Sequence, residues 1–171
     1  MLASVAKDQT GYTFGEALAA SGYVGDEANR LSPARQCALI ELHIEQGPVL
    51  EAEGFDIGVV DGVCGMINYE FTFTGQADHA GTTPMKYRKD ALYAAVKAIQ
   101  YLHDELDKLD PALVYTTGKI SAHPNIHTII PDEVKFTIDV RHYNPAVIEQ
   151  ALAIIRKMPD EIVGCKVSYA E

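Results

Sequence analysis

No apolar run in this sequence exceeds a few residues, far short of the roughly 20 that a membrane-spanning helix needs. Cysteine is scarce: Cys37, Cys64 and Cys165 are odd in number and widely spaced, which fits reduced thiols better than a disulfide frame or a zinc knuckle. Basic residues are in deficit, 14 against 24 acidic ones, and they are scattered, so the net charge of −10 argues against a nucleic-acid partner or an anionic membrane surface. The stretch Met1 to Asp8 lacks the charged start and continuous apolar segment of a secretion signal, which makes the cytoplasm the expected location. There is no Gly-rich phosphate loop, no Gly-x-Ser-x-Gly and no His-Glu-x-x-His, so phosphate and serine chemistry recede.

What is present is a globular composition. Apolar residues make up 47% of the 171, enough for a packed core in one domain or in a small domain with an attached piece. Residues 1 to 35 have little periodicity; Phe14 to Ala20 reads as a helix, and Gly22, Gly25 and Pro33 interrupt the residues after it. In the next segment Ala38, Ile40, Leu42 and Ile44 alternate with Cys37, Leu39, Glu41 and His43, which predicts a strand ending at Gly47-Pro48. A short helix is expected over Pro48 to Glu53.

From Gly65 the pattern sharpens. Ile67, Tyr69, Phe71 and Phe73 alternate with Asn68, Glu70, Thr72 and Thr74, a half-buried strand. After a loop to Met85, the spacing predicts a helix over Arg88 to Leu109 with Leu92, Ala95, Ile99, Leu102, Leu106 and Leu109 on its apolar face, stopped by Asp110-Pro111. Leu113 to Ile120 reads as one strand, and Val134 to Arg141 as another. Asn144-Pro145 supplies an N-cap and a proline at the first helical position, opening a helix with Ile148, Ala151, Leu152, Ile155 and Met158 inward. Cys165 to Tyr169 closes a β-α-β-β-α-β order, which can fold as a four-stranded antiparallel sheet with both helices on one face.

Three side chains stand out chemically. His43, flanked by Glu41 and Glu45, is either a divalent-metal ligand or a hydrogen-bonded histidine at a strand end. His79 sits among Gly75, Gly81, Thr82, Thr83 and Pro84, as a donor to a developing oxyanion or as a turn histidine capping the next helix. Arg141, at a strand end, offers its guanidinium to a carboxylate ligand or to a surface pair with Asp139 or Glu70. His103 is expected in solvent, and His142 as a mere strand-end residue.

Three ordered motifs then point to a family. Glu41-Leu-His-Ile-Glu-Gln-Gly-Pro48, Gly75-Gln-Ala-Asp-His-Ala-Gly-Thr-Thr-Pro-Met85 and Ile130-Pro131 with Phe136-Thr-Ile-Asp-Val-Arg-His142 closely resemble the hydantoinase/carbamoylase-type amidases of the M20 metallopeptidase-like group. That group holds N-carbamoyl-L-amino-acid hydrolases, allantoate amidohydrolases and β-ureidopropionases. The resemblance implies an α+β chain: a segment of an α/β metal-dependent catalytic domain over residues 1–63, and a ferredoxin-like lid and dimerisation domain over 64–171.

By the same resemblance His43 takes the place of a metal ligand and Gln46 lines the substrate pocket. His79 polarises the scissile carbonyl in the partner subunit's site, and Arg141 binds the substrate carboxylate. The family places asparagine where this chain has Thr128, which keeps a hydroxyl but loses the amide's paired donor and acceptor; Asn125 and His127 are the polar neighbours. The implied cofactor is a pair of divalent metals (zinc, manganese, cobalt or nickel), held by an upstream histidine, a bridging aspartate, a Glu-Glu pair and a final histidine. No Glu-Glu dipeptide occurs here, so the chain is expected to be part of an enzyme, inactive alone and without a stable metal site. The rival reading is a non-catalytic dimerisation or binding module with the lid fold. A homodimer is expected through the thinly charged edge Leu113 to Ile120 and the helix from Arg88.

Overall fold

The structure, a computed structural model, describes residues 7–8, 10–26, 28, 32, 34 and 36–171. The expected break at Pro33 and most of the Met1 to Asp8 stretch lie outside the described residues. The chain divides into two compact units, Met1–Gly58 and Val59–Glu171.

In the first unit, Thr13 opens helix α1 (Phe14–Ser21) with a capping box: its hydroxyl accepts the Glu16 amide at 3.2 Å, and the Glu16 carboxylate accepts the Thr13 amide at 2.9 Å. Gly22, at φ 77°, ends it. The strand expected over Cys37 to Ile44 does not form; this stretch is unpaired coil, with Leu39 86% and Leu42 95% exposed. The alternation is real, but an isolated strand leaves its backbone donors and acceptors without a ladder, and none of the described residues pairs with this one. Helix α2 (Val49–Glu53) comes next, its free amides at Val49 and Leu50 satisfied by the Glu45 carboxylate at 3.1 and 3.2 Å.

The second unit is built on two ten-residue strands, β1 (Gly65–Thr74) and β4 (Glu133–His142), paired antiparallel along their whole length. Register places Ile67, Tyr69, Phe71 and Phe73 opposite Val140, Ile138, Phe136 and Val134, so the apolar rows share one face. Phe136 stacks between Phe71 and Phe73, with ring centroids 5.1 and 5.6 Å away. Strand β6 (Cys165–Ala170) lines the other side of β1, and β5 (Glu161–Ile162), a short strand that the residue pattern does not predict, pairs with β6.

The single strand expected over Leu113 to Ile120 is two: β2 (Val114–Thr116) and β3 (Ile120–His123), both on the free side of β4. Thr116 pairs with Asp139 and Ile120 with Phe136, so this edge carries one residue more than β4 between those pairs. That is a bulge at Thr117-Gly118-Lys119, after which even rather than odd positions face inward. The extra residue kinks the edge strand, and the sheet is antiparallel throughout, ordered β2 and β3, β4, β1, β6, β5.

Helices α3 (Ala91–Leu106) and α4 (Pro145–Ile155) lie against β1, β4 and each other, which puts them on the same face. Asn144 caps α4 through its side chain, accepting the Ala146 amide at 2.9 Å, with Pro145 in the first turn. Asp90 caps α3, accepting from Leu92 and Tyr93 at 3.0 and 3.1 Å. The buried face of α3 is Ala91, Ala94, Ala95, Ala98, Leu102 and Leu106, whereas Leu92 is 38% exposed. Alanines let the helix backbone approach the sheet closely, and this turns Leu92 outward. Among the described residues no helix is long and apolar enough to cross a membrane.

Candidate functional site

The His79 loop is held by its backbone. His79 forms an isolated antiparallel bridge with Ile129, flanked by Ala80 N–H donating to the Thr128 carbonyl at 2.9 Å and Ile130 N–H donating to the Asp78 carbonyl at 2.9 Å. At its root, Gly75 N–H donates to Asp132 O at 2.7 Å and Gln76 N–H to Lys89 O at 2.9 Å. Gly75 cannot carry a side chain, because a Cβ there would lie 2.1 Å from the Lys89 carbonyl oxygen. The helix cap considered for His79 is supplied by Asp90 instead.

His79 is exposed, and among the described residues its ring has one hydrogen-bond partner: Gly81 N–H donates to Nδ1 at 3.0 Å. A backbone amide only donates, so Nδ1 carries the lone pair and a neutral ring carries its proton on Nε2, the atom left free to donate. Beside the loop lies a cleft of about 450 Å³, lined among others by Ala80, Arg88, Asp90, Asn125, His127 and Pro131. The Arg88 guanidinium donates to two loop carbonyls, Thr83 at 2.9 Å and Ala80 at 2.6 Å. The residue pattern assigns Arg88 only to the start of a helix, since an arginine bound to main-chain oxygens leaves no charge pattern to detect.

The remaining candidates lie elsewhere. Thr128 is exposed and adjoins the His79 loop through its carbonyl, which leaves the hydroxyl uncommitted to that bond. Arg141 sits near the far end of β4, roughly 27 Å from Glu133 at the rise of an extended strand. It makes a two-pronged pair with Asp139, at 2.6 and 3.1 Å, whose carboxylate holds the guanidinium above its usual pKa. One copy of the unit therefore joins His79 with Thr128 and separates both from Arg141.

His43 and Gln46 belong to the first unit. His43 is exposed, with Nδ1 2.6 Å from the Ile44 carbonyl, and Gln46 adopts φ 57° in the turn before α2. Among the described residues no three His, Cys, Asp or Glu side chains converge as a metal-binding group. The described residues thus do not by themselves fit the implied metal pair.

Of the other histidines, His142 ends β4 as expected and is also buried: its Nδ1 accepts the Asn144 amide at 2.9 Å, and its Nε2 lies 3.4 Å from Asp110 Oδ1. His103 is half-buried, edge-on to Tyr115 with centroids 4.9 Å apart. All three cysteines are free.

An antiparallel sheet backed by two helices, with a histidine loop pinned beside its central strands, is the architecture of a small α+β association domain. Residues 62–163 match the family model described as a peptidase dimerisation domain, and the chain belongs to the M20 family that carries it. It is 40% identical to the allantoate amidohydrolase of Bacillus subtilis over 144 residues, covering 84% of this chain and 35% of the relative. It is 36% identical to the N-carbamoyl-L-amino acid amidohydrolase of Geobacillus stearothermophilus, covering 84% and 36%. A crystal structure of a hydantoinase/carbamoylase family amidase from Burkholderia multivorans superposes with TM-score 0.77 at 40% identity, over 96% of this chain and 40% of that one. Another from Burkholderia phymatum gives 0.80 at 32% identity, over 98% and 42%. The chain spans about a third of the length of the curated relatives it matches.

Proposed function

We propose that this chain is the lid and part of the catalytic domain of an amidohydrolase. The whole enzyme cleaves the C–N bond of an N-carbamoyl amino acid or a related linear amide such as allantoate. We take residues 1–63 as the catalytic segment and 64–171 as the ferredoxin-like lid, through which two copies associate along the β2 and β3 edge and α3. Relatives named for these two activities, at 40% and 36% identity, support the reaction class. The three free thiols suit a reducing compartment, the cytoplasm.

The observation that carries this reading is the placement of His79 and Arg141 at opposite ends of one sheet. A small substrate cannot touch both in one copy, so a site using both draws them from two. His79 with its Nε2–H, and Thr128 beside it, then come from one copy to polarise the substrate carbonyl, and Arg141 from the other to hold the carboxylate. Gln46 lines the pocket, and His43 is one ligand of a metal site whose other ligands belong to the whole enzyme. The 171-residue chain alone therefore does not turn over, because a catalytic zinc site takes at least three protein ligands.

The test is subunit complementation in a longer form of the protein that includes the remaining metal ligands. His79→Ala and Arg141→Ala homodimers are each expected to be inactive, while their heterodimer keeps one of its two sites intact and recovers carbamoyl-amino-acid hydrolysis. An inactive heterodimer would refute the shared site. Turnover by the 171-residue chain itself would refute its dependence on further ligands.

A further inference from the structure

We propose that Arg88 is a positioning residue: its grip on the Ala80 and Thr83 carbonyls holds the His79 ring in the Nε2–H tautomer. This rests on the reading of His79 as a donor to substrate, yet it concerns a property of the ring that needs no substrate to observe.

The two carbonyls that Arg88 holds lie on either side of Gly81-Thr82, the turn that faces the imidazole. Nε donates to Thr83 O at 2.9 Å and Nη2 to Ala80 O at 2.6 Å, so one planar, permanently charged group fixes the peptide planes at both ends of the turn. Between them, the Gly81 amide is aimed at His79 Nδ1 at 3.0 Å, and Thr83 N–H returns to the His79 carbonyl at 3.2 Å. The fit is close: a Cβ on Gly81 would sit 3.2 Å from His79 Cε1 and 3.4 Å from Nδ1.

The tautomer depends on that amide, because among the described residues it is the ring's one hydrogen bond. If the turn rotates, Nδ1 loses its donor, the proton is shared between the two nitrogens, and the fraction of rings presenting Nε2–H outward falls. Arg88 acts on the ring through two carbonyls and an amide rather than through a hydrogen bond to it. Lysine at this position would keep the charge but, as a single point donor, could not hold both planes.

The experiment is a long-range nitrogen–proton correlation spectrum of the His79 ring in the 171-residue chain, with hydrogen exchange of the Gly81 amide. The parent protein is expected to show one tautomer, protonated at Nε2, and a protected Gly81 amide. In Arg88→Ala the two ring nitrogens should move toward an averaged position and the Gly81 amide should exchange about tenfold faster or more, the loss expected for one hydrogen bond. Lys89→Ala, which keeps the main-chain contacts, should match the parent.

Amide shifts of Phe71 and Phe136 report whether the sheet is intact. If Arg88→Ala loses them, the folded Arg88→Lys variant decides, with an intermediate ring spectrum expected. A parent ring protonated at Nδ1, or a folded Ala or Lys variant whose ring spectrum and Gly81 exchange equal the parent's, would overturn the proposal. Failure of heterodimer complementation would leave these spectra unaltered, so the two readings fail separately.

Discussion

The Thr128 carbonyl accepts the amide proton of Ala80 at 2.9 Å, and this bond ties the segment before Pro131 to the loop that carries His79. Only main-chain atoms take part, so the Thr128 side chain can change without loosening the loop.

Thr128→Asn is therefore expected to leave the unfolding midpoint of the chain unaltered. On the proposed function, in a longer form of the protein it should lower KM for a ureido substrate about three- to tenfold, the worth of one added neutral hydrogen bond, with kcat little changed. Steady-state kinetics of the two enzymes checks this, and an unchanged KM would remove position 128 from the substrate's surroundings.

Gly75→Ala should be among the most damaging single-methyl additions. The new Cβ meets the Lys89 carbonyl oxygen at 2.1 Å, its carbon at 3.0 Å and the buried Cys165 sulfur at 3.1 Å, the carbonyl being held by the Gln76 amide just before α3 and the sulfur by the start of β6. Separating them breaks the 2.7 Å bond from Gly75 N–H to Asp132 O, and a loss of about 1–3 kcal/mol is expected. Urea unfolding should show a lower midpoint with an unchanged slope.

How far these features could be read from residues alone depends on the range of the forces involved. Alternation in β1 and β4 was legible because one face of each strand is uniformly apolar, and the α4 cap because Asn144-Pro145 acts within a few residues, whereas the Thr13 and Glu16 capping box of α1 went unread. The bulge at Thr117-Gly118-Lys119 was hidden, since apolar residues on both sides continue the strand pattern and only pairing with β4 reveals the extra residue. Of the face expected for α3, Ala95, Leu102 and Leu106 are buried and Ile99 and Leu109 pack against the core, whereas Leu92 turns outward and Ala91, Ala94 and Ala98 were overlooked because leucines carry the stronger apolar signal. At the site, the loop chemistry around His79 stood out, but the bridge to Ile129 and the burial of His142 arise from contacts distant in sequence.

Alkaline pH should weaken the β2 edge. The Tyr115 hydroxyl donates to the Asp107 carboxylate, and that bond pushes the phenol up to about 12 from the usual 10. Between these values the unfolded chain has released a proton that the folded chain retains, so stability falls as pH rises through the window and is fully present below it. The stability of Tyr115→Phe should be less pH-dependent from about pH 10 to 12. Equal slopes for the two proteins in pH-dependent unfolding would show that the bond does not persist in solution.

Val163 offers the opposite opportunity, a substitution that should stabilise. The hairpin between β5 and β6 closes through two residues, Val163 at φ 52° and Gly164 at φ 75°, the left-handed pair of a type I′ turn. Glycine adopts that region freely, but a β-branched side chain there is strained, because its Cβ crowds the carbonyl oxygen. Val163 is 42% exposed, so little packing is lost when it is replaced. Asparagine is the preferred residue at the first position of such turns, and Val163→Asn should raise stability by about 1 kcal/mol. Thermal unfolding followed at the sheet should shift upward by about 4 °C. A fall instead would mean that the valine methyls pack in solution against the turn, and that the strain is outweighed by burial.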